Sequence, residues 1–123
     1  MKRKALIVSI KGLKLSRKEM ILLSQKRPWG IILFKRNLKS IGQIKYLTNQ
    51  IKKLTKDKNF PILIDEEGTN VSRLEEIINH DISASFFGNL YKNDKNFCIS
   101  LFRHYINSLS KVLISLGINI NTV

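Results

Sequence analysis

The amino-acid sequence predicts an α/β fold in which parallel β-strands alternate with α-helices. Short apolar runs rich in Ile, Leu and Val recur along the chain, and segments with helical periodicity separate them. The apolar runs show little alternation with polar residues, which is typical of strands covered on both faces. Helical connections between successive strands make those strands parallel, so the sequence predicts three to four βα units.

The first unit begins with a strand over residues 5–10, a continuous β-branched run that predicts burial on both faces. Ser16 is followed three residues later by Glu19, which is the pattern of a capping box. We therefore expect a helix over residues 17–26, which ends before Pro28.

The second unit repeats this order. Residues 30–34 form another apolar run, and Ser40 with Gln43 gives a second capping pattern. The helix that follows should present one apolar stripe, formed by Ile44, Leu47, Ile51 and Leu54. Pro61 marks the exit from this helix and the start of a third strand over residues 61–65.

The remainder of the chain is predicted to contain one long helix and one further strand. Residues 66–96 are turn-rich, with a short helix expected near residues 74–78. A long apolar stripe runs from Ile99 to Leu116, and Gly117 occupies the position that commonly ends a helix. Residues 118–121 then predict a fourth strand.

Two architectures fit this pattern: an open doubly wound sheet, or part of a (β/α)₈ barrel. The chain has 123 residues and forms one domain at most. A complete (β/α)₈ barrel needs roughly 250 residues, so the sequence would supply about half of one. The strand pattern alone leaves both architectures open.

The formal net charge of +13 suggests an anionic partner such as nucleic acid. However, the basic residues are scattered along the chain, and the abundant Lys, Asn and Ile are all encoded by A/T-rich codons. Codon bias would raise the charge without selection for a partner, so we do not expect nucleic acid to be the ligand. A small basic α/β module that binds nucleic acid or another anion remains the alternative function, beside a non-functional truncated product.

The composition also predicts the cellular environment. Cys98 is the single cysteine, so no intramolecular disulfide can form, which fits a reducing compartment. No segment approaches the roughly 20 apolar residues of a membrane span, so no membrane partner is expected. We expect a cytoplasmic protein.

The richest group of candidate functional residues follows the third strand. In parallel α/β folds, ligands bind at the carboxyl ends of strands, where Asp65, Glu66 and Glu67 lie here, followed by Arg73. In extended geometry, residues two apart are separated by about 6.6 Å and face the same way. Spacing alone would therefore permit Asp65 and Glu67 as a glycosidase carboxyl pair. The alternative is a charged strand end that caps a helix or pairs with Arg73; no metal or cofactor is expected, since no matching ligand cluster appears.

Three segments resemble bacterial β-N-acetylhexosaminidases of glycoside hydrolase family 3. Residues 64–74, I-D-E-E-G-T-N-V-S-R-L, are similar to that family's D-x-E-G-G-x-V-x-R segment. Residues 30–37, G-I-I-L-F-K-R-N, are similar to its G-x-I-L-F-x-R-N segment, and residues 116–121 to the segment that enters its next strand. The resemblance thus covers nearly the whole chain in the same order.

The resemblance implies that residues 1–123 are the N-terminal portion of a (β/α)₈ barrel domain. The implied activity is removal of terminal N-acetylglucosamine from cell-wall-derived glycans during peptidoglycan recycling. Asp65 matches the aspartate that binds hydroxyls of the terminal sugar, and Arg73 matches the arginine that positions it. The same resemblance implies loop support by Glu67, Arg36 and Asn37.

Two departures from the family pattern affect these expectations. Thr69 replaces the second glycine, and Asn70 follows it; a positive φ at Thr69 would be strained. The family's nucleophile and acid/base come later in the pattern than Val123, so no catalytic residue is assigned and the 123 residues alone should be inactive. A half-barrel would also leave sheet edges open, which favours self-association.

Overall fold

A computed structural model describes residues 3–69, 71–78 and 82–122 of the chain. Within these residues, four strands form one sheet in the order β1-β2-β3-β4, and every neighbouring pair is parallel. The α/β prediction with parallel strands is confirmed. The strands are β1 (Lys4–Ser9), β2 (Pro28–Leu33), β3 (Ile62–Ile64) and β4 (Ile120–Asn121).

Helices connect the strands. Between β1 and β2, α1 continues into a single π-helical segment, and one long helix, α2, connects β2 to β3. Two helices, α3 and α4, precede β4. The helices are α1 (Arg17–Ile21), its π-helical continuation (Leu22–Lys26), α2 (Ile41–Thr55), α3 (Ala84–Asn93) and α4 (Lys95–Ser115), with a short 3₁₀ turn at Lys35–Asn37.

Side-chain caps fix where α1 and α2 begin. The Ser16 hydroxyl accepts from the Glu19 N–H at 3.3 Å, and the Glu19 carboxylate accepts from the Ser16 N–H at 2.7 Å. At α2, the Ser40 hydroxyl accepts from the Gln43 N–H at 3.2 Å. These bonds satisfy N–H groups that have no intrahelical partner, so both predicted helix starts are confirmed.

The core lies between the sheet and the apolar stripe of α2. The stripe residues Ile44, Leu47 and Ile51 are fully buried, as are Ile31 of β2 and Ile62 of β3. The positions predicted for the buried face of α2 are therefore confirmed, apart from Leu54, which is only partly buried. Burial of this stripe is what holds α2 against the strands.

Gly117 ends α4 as predicted. Its φ is +83°, and a Cβ atom there would lie 2.5 Å from the Thr48 hydroxyl oxygen on α2. That hydroxyl donates to the Leu116 carbonyl at 2.9 Å. Only glycine suits this position, because the backbone is left-handed and α2 is in contact.

The prediction that the first strand is buried on both faces is wrong. Leu6 is 56% exposed and Ile7 is 50% exposed, although they point to opposite faces of β1. The strand forms one edge of the sheet, and among the described residues only β2 pairs with it. The apolar run therefore predicted the strand correctly. Burial of β1 on both faces would need packing partners that the described residues do not provide.

Other elements also differ from expectation. The short helix predicted at residues 74–78 is a single turn, in which the N–H groups of Ile77 and Ile78 both donate to the Leu74 carbonyl. The turn-rich region contains α3, which Ser83 caps and whose Phe87 packs edge-on against Phe102 of α4 at 4.9 Å. Strand β2 starts at Pro28 rather than residue 30, since a strand's first residue tolerates the missing N–H.

None of the helices in the described ranges is both long enough and apolar enough to cross a lipid bilayer.

Candidate functional site

The candidate site lies at the carboxyl ends of the strands, where three chain segments leave the sheet close together. Phe34 follows β2, Asp65 follows β3 and Thr122 follows β4. The Thr122 hydroxyl donates to Asp65 Oδ1, and Arg73 returns from the loop after β3. Parallel strands place their carboxyl ends on one edge of the sheet, and this brings residues distant in sequence into contact.

Asp65 and Arg73 form an ion pair at this edge. Asp65 Oδ2 lies 3.5 Å from Arg73 Nη2, and the two side chains are 24% and 30% exposed. The pair is thus in contact and partly open to solvent. Each carboxylate oxygen can accept two hydrogen bonds, so Asp65 retains acceptor capacity beyond its bonds to Arg73 and Thr122.

The Arg73 guanidinium is held by an aromatic ring and has an unused donor. Its central carbon lies 5.7 Å from the Phe34 ring centroid, and the Arg36 guanidinium carbon lies 4.7 Å from the same centroid. Both distances are within the range of cation–π attraction. The buried Arg73 Nε has no hydrogen-bond partner among the described residues. Phe34 was not singled out by sequence analysis, although it belongs to the 30–37 segment.

Glu66 is the carboxylate that shapes the loop after β3. It is 1% exposed and accepts from the Ser72 hydroxyl at 2.6 Å and from the N–H groups of Arg73 and Leu74 at 2.8 and 3.1 Å. The Asn121 side chain bonds both the N–H and the carbonyl of Glu66 at 2.9 Å. These contacts fix the backbone that carries Asp65 and Arg73.

The side-chain contacts within this loop are made by Glu66, and loop support by Glu67 stays a prediction. The side chain of Glu67 is exposed, while its N–H donates to the Val71 carbonyl at 2.8 Å. Strand β3 ends at Ile64, so the strict alternation assumed for Asp65 and Glu67 has no strand to maintain it. Strand alternation could not have identified Glu66 from the sequence, because β3 ends at Ile64 before it.

Arg36 and Asn37 connect the loop after β2 to the loop after β1. Asn37 is fully buried, and its amide nitrogen donates to the carbonyls of Ile10 and Gly12 at 3.1 and 2.9 Å. Its amide oxygen accepts from the Phe34 N–H at 2.9 Å, and Arg36 Nε donates to the Ile10 carbonyl at 3.1 Å. Asn37 thereby fixes the backbone of Phe34, whose ring contacts the Arg73 guanidinium.

The glycine replacement at Thr69 introduces no left-handed strain. The positive φ of this loop belongs to Gly68, at +117°, where a Cβ atom would lie 2.8 Å from the Ile82 carbonyl oxygen. Thr69 itself does not have a positive φ. Asn70, the other departure from the family pattern, lies outside the described residues.

Near this edge, Tyr105 of α4 approaches the Glu66 carboxylate. Burial, and then the negative charge of Glu66, raise the pKa of the Tyr105 hydroxyl above its ordinary value. Tyr105 therefore stays neutral at physiological pH. Across residues 3–69, 71–78 and 82–122, no group of three or more His, Cys, Asp or Glu side chains is arranged to hold a metal ion.

Known proteins similar to this chain share one activity name. The β-hexosaminidase of Thioalkalivibrio sulfidiphilus is 33% identical over 90 residues, 73% of this chain and 25% of that protein. The β-hexosaminidase of Haemophilus ducreyi is 37% identical over 89 residues, 72% of this chain and 25% of that protein. The chain thus spans about a quarter of the length of these curated relatives. No protein-family model matches it.

The solved structures that resemble the chain agree with these relatives. NagZ from Neisseria gonorrhoeae superposes with a TM-score of 0.89 and 28% identity over 98% of this chain and 35% of that one. A glycoside hydrolase family 3 β-N-acetylglucosaminidase from Paenibacillus superposes with a TM-score of 0.79 and 25% identity, over 95% of this chain and 22% of that one. Over its length, this chain resembles part of a glycoside hydrolase family 3 enzyme.

The superposition on NagZ decides between the two architectures that the strand pattern allowed. The four parallel strands and their helices follow NagZ over almost their whole length, so the sheet is part of a (β/α)₈ barrel rather than of a doubly wound sheet. A further NagZ structure from Neisseria gonorrhoeae, in complex with N-trifluoroacetyl-D-glucosamine, superposes with a TM-score of 0.67 at 33% identity over 75% of this chain and 26% of that one.

Proposed function

We propose that residues 1–123 form the N-terminal portion of the barrel domain of a family 3 β-N-acetylhexosaminidase. In this proposal, Asp65 and Arg73 bind the terminal N-acetylglucosamine of a glycan substrate. The observation that carries it is the Asp65–Arg73 contact of 3.5 Å at the carboxyl edge of a barrel sheet. The β-hexosaminidase relatives and the NagZ complex with a glucosamine derivative support the same substrate class.

The chemistry of the pair suits a sugar. Asp65 has one carboxylate oxygen near Arg73 and the other bonded by Thr122, which leaves lone pairs to accept two hydroxyl protons. The charge of the carboxylate makes such bonds stronger than bonds between neutral groups. Arg73 orients the carboxylate and offers further donors to ring or hydroxyl oxygens.

The supporting residues keep this pair in one geometry. Phe34 contacts the Arg73 guanidinium from the β2 loop, and the buried Glu66 fixes the Arg73 backbone. Asn37 in turn fixes Phe34. Groups held in place before the ligand arrives bind it more tightly, because less conformational freedom is lost on binding.

Catalysis needs a nucleophile and an acid/base in addition to the groups that bind the sugar. Retaining glycosidases use a nucleophile and an acid/base about 5 to 5.5 Å apart, and neither role is assigned among these residues. We therefore expect the 123 residues to bind sugar without cleaving it. The complete enzyme would act on cell-wall-derived glycans in the cytoplasm during peptidoglycan recycling.

The test is a titration of the 123-residue chain with N-acetylglucosamine, followed by NMR chemical shifts. Asp65→Ala should abolish the shifts, because it removes the hydroxyl acceptor, whereas Glu67→Ala should leave them unchanged. The Glu67 variant is matched, since it removes one carboxylate two residues away whose side chain is exposed. Equal binding by both variants would refute the assignment of Asp65.

An activity assay accompanies the titration. The chain should release no p-nitrophenol from p-nitrophenyl N-acetyl-β-D-glucosaminide. Release that Asp65→Ala abolishes would show that the chain is catalytically complete.

A further inference from the structure

A second hollow lies at the opposite edge of the sheet from the Asp65–Arg73 pair. It has a volume of about 270 Å³ and is bounded by the residues that precede or open the first three strands. Its apolar lining consists of Leu23, Pro28 and Phe60, of which Leu23 and Phe60 are 1% and 2% exposed. The family motifs described above contribute none of these residues.

The polar lining of this hollow is mainly cationic. Arg3, Arg27 and Lys56 line it together with the single carboxylate of Asp57. Arg3 forms an ion pair with Asp57, and its guanidinium carbon lies 5.5 Å from the Phe60 ring centroid. Three cations and one carboxylate give the lining a net charge of +2.

Two of these cations are held by an unfavourable backbone. Arg27 and Lys56 have φ values of 49° and 54°, and they are the non-glycine residues with positive φ in the described ranges. Both follow a helix, at positions where glycine would be less costly. A position just after a helix explains the positive φ of each residue. It does not explain why both residues carry long basic side chains that line the same hollow. Strain of this kind is a recognised mark of a ligand site.

We propose that this hollow binds the phosphate group of a small phosphate ester. The net charge of +2 complements a phosphate dianion, and guanidinium groups match phosphate oxygens in geometry. The Arg3 guanidinium is oriented before binding by its ion pair with Asp57 and by its contact with the Phe60 ring. The volume of about 270 Å³ limits the ligand to a small molecule.

The experiment titrates the 123-residue chain with phenyl phosphate at low ionic strength and follows binding by calorimetry. Inorganic phosphate should compete, since it supplies the same dianion without the ring. Lys56→Gln and Arg27→Gln should each weaken binding at least about tenfold, because each removes a charged hydrogen-bond donor.

Lys45→Gln is the matched control. It removes the same charge from an exposed position on α2, the helix that Lys56 follows, and should change binding by less than about twofold. Equal weakening by all three variants would reduce the effect to general attraction by a basic protein, and would overturn the proposal. Absence of binding at millimolar phenyl phosphate would also overturn it.

Lys56→Gly separates ligand binding from folding. Glycine relieves the left-handed strain, so this variant should melt no lower than the unmodified chain and yet lose phenyl phosphate binding. Retention of binding by Lys56→Gly would overturn the proposal. A short single-stranded oligonucleotide should not displace phenyl phosphate; displacement would assign the hollow to a nucleic-acid backbone instead. Neither result depends on the sugar site, because the two sites lie at opposite edges of the sheet.

Discussion

Three consecutive carboxylates after β3 lie in three different environments. Asp65 is partly exposed and pairs with Arg73, Glu66 is buried and bonds the loop backbone, and Glu67 is exposed. Burying a carboxylate is costly unless hydrogen bonds compensate, and Glu66 accepts three within the loop. The middle carboxylate is therefore structural, which leaves the first one available for a ligand.

Removing the Glu66 side chain should destabilise the chain far more than removing its neighbour. Glu66→Ala leaves the partly buried donors of Ser72 and Arg73 and the buried donor of Leu74 without their acceptor, so the free energy of unfolding should fall by at least about 2 kcal/mol. Glu67→Ala should change it by less than about 0.5 kcal/mol. Urea denaturation followed by circular dichroism measures both values, and similar losses for the two variants would contradict this account of the loop.

At the scale of elements, side-chain caps and a glycine determine where the helices begin and end. The Ser16–Glu19 capping box starts α1, and Glu19 also accepts from the Lys11 N–H at 2.8 Å. Burial alone would raise the pKa of Glu19, but the hydrogen bonds from Ser16 and Lys11 outweigh it and lower the pKa below its ordinary value. The carboxylate form is thus the one that supports the start of α1.

This lowered pKa predicts how α1 responds to acid. Because the pKa in the folded chain lies below that of the unfolded chain, Glu19 stabilises the fold above its ordinary pKa of 4.5. That contribution is lost as the pH falls through the folded pKa. The melting temperature of the unmodified chain should therefore decline more between pH 6 and pH 3 than that of Glu19→Gln. Parallel melting curves of the two proteins would contradict the prediction.

At the scale of the whole molecule, both outer strands have an unpaired side among the described residues. On the β1 side, the exposed apolar residues are Leu6 and Ile7; on the β4 side, Ile114 of the neighbouring helix is 67% exposed. Open strand edges with apolar flanks favour pairing with another chain. The net charge of +13 opposes such contact, and salt screens that repulsion.

We expect the 123-residue chain to self-associate through these edges, and more strongly at high salt. Ile7→Lys should reduce the weight-average mass, measured by sedimentation equilibrium, toward the monomer value of 14.2 kDa, because it places a charge on the open edge strand. Ile41→Lys is the matched control, since Ile41 is 53% exposed at the start of α2 and Ile7 is 50% exposed on β1. Association that weakens with salt, or that both variants abolish, would contradict edge pairing.

The sequence by itself determined the features whose physical cause is local. Apolar runs, the caps at Ser16 and Ser40 and the stop at Gly117 depend on neighbouring residues, so they predicted the four strands and most helices. Helix α3 was missed because residues 66–96 were expected to be turn-rich, and packing of Phe87 on α4 makes its apolar side evident.

Tertiary structure decided what depends on residues far apart in the chain. The contact of Asp65 with Thr122 and the position of the Phe34 ring beside Arg73 arise because parallel strands bring distant strand ends together. The exposure of β1 arises because it is an outer strand, which pairs only with β2 among the described residues. The sequence pattern predicted Asp65 and Arg73 as site residues. The tertiary structure showed that Glu66 bonds the loop backbone, and that Arg3, Arg27 and Lys56 line one hollow. No local rule contains those distances, since they follow from the way α2 and the sheet pack together.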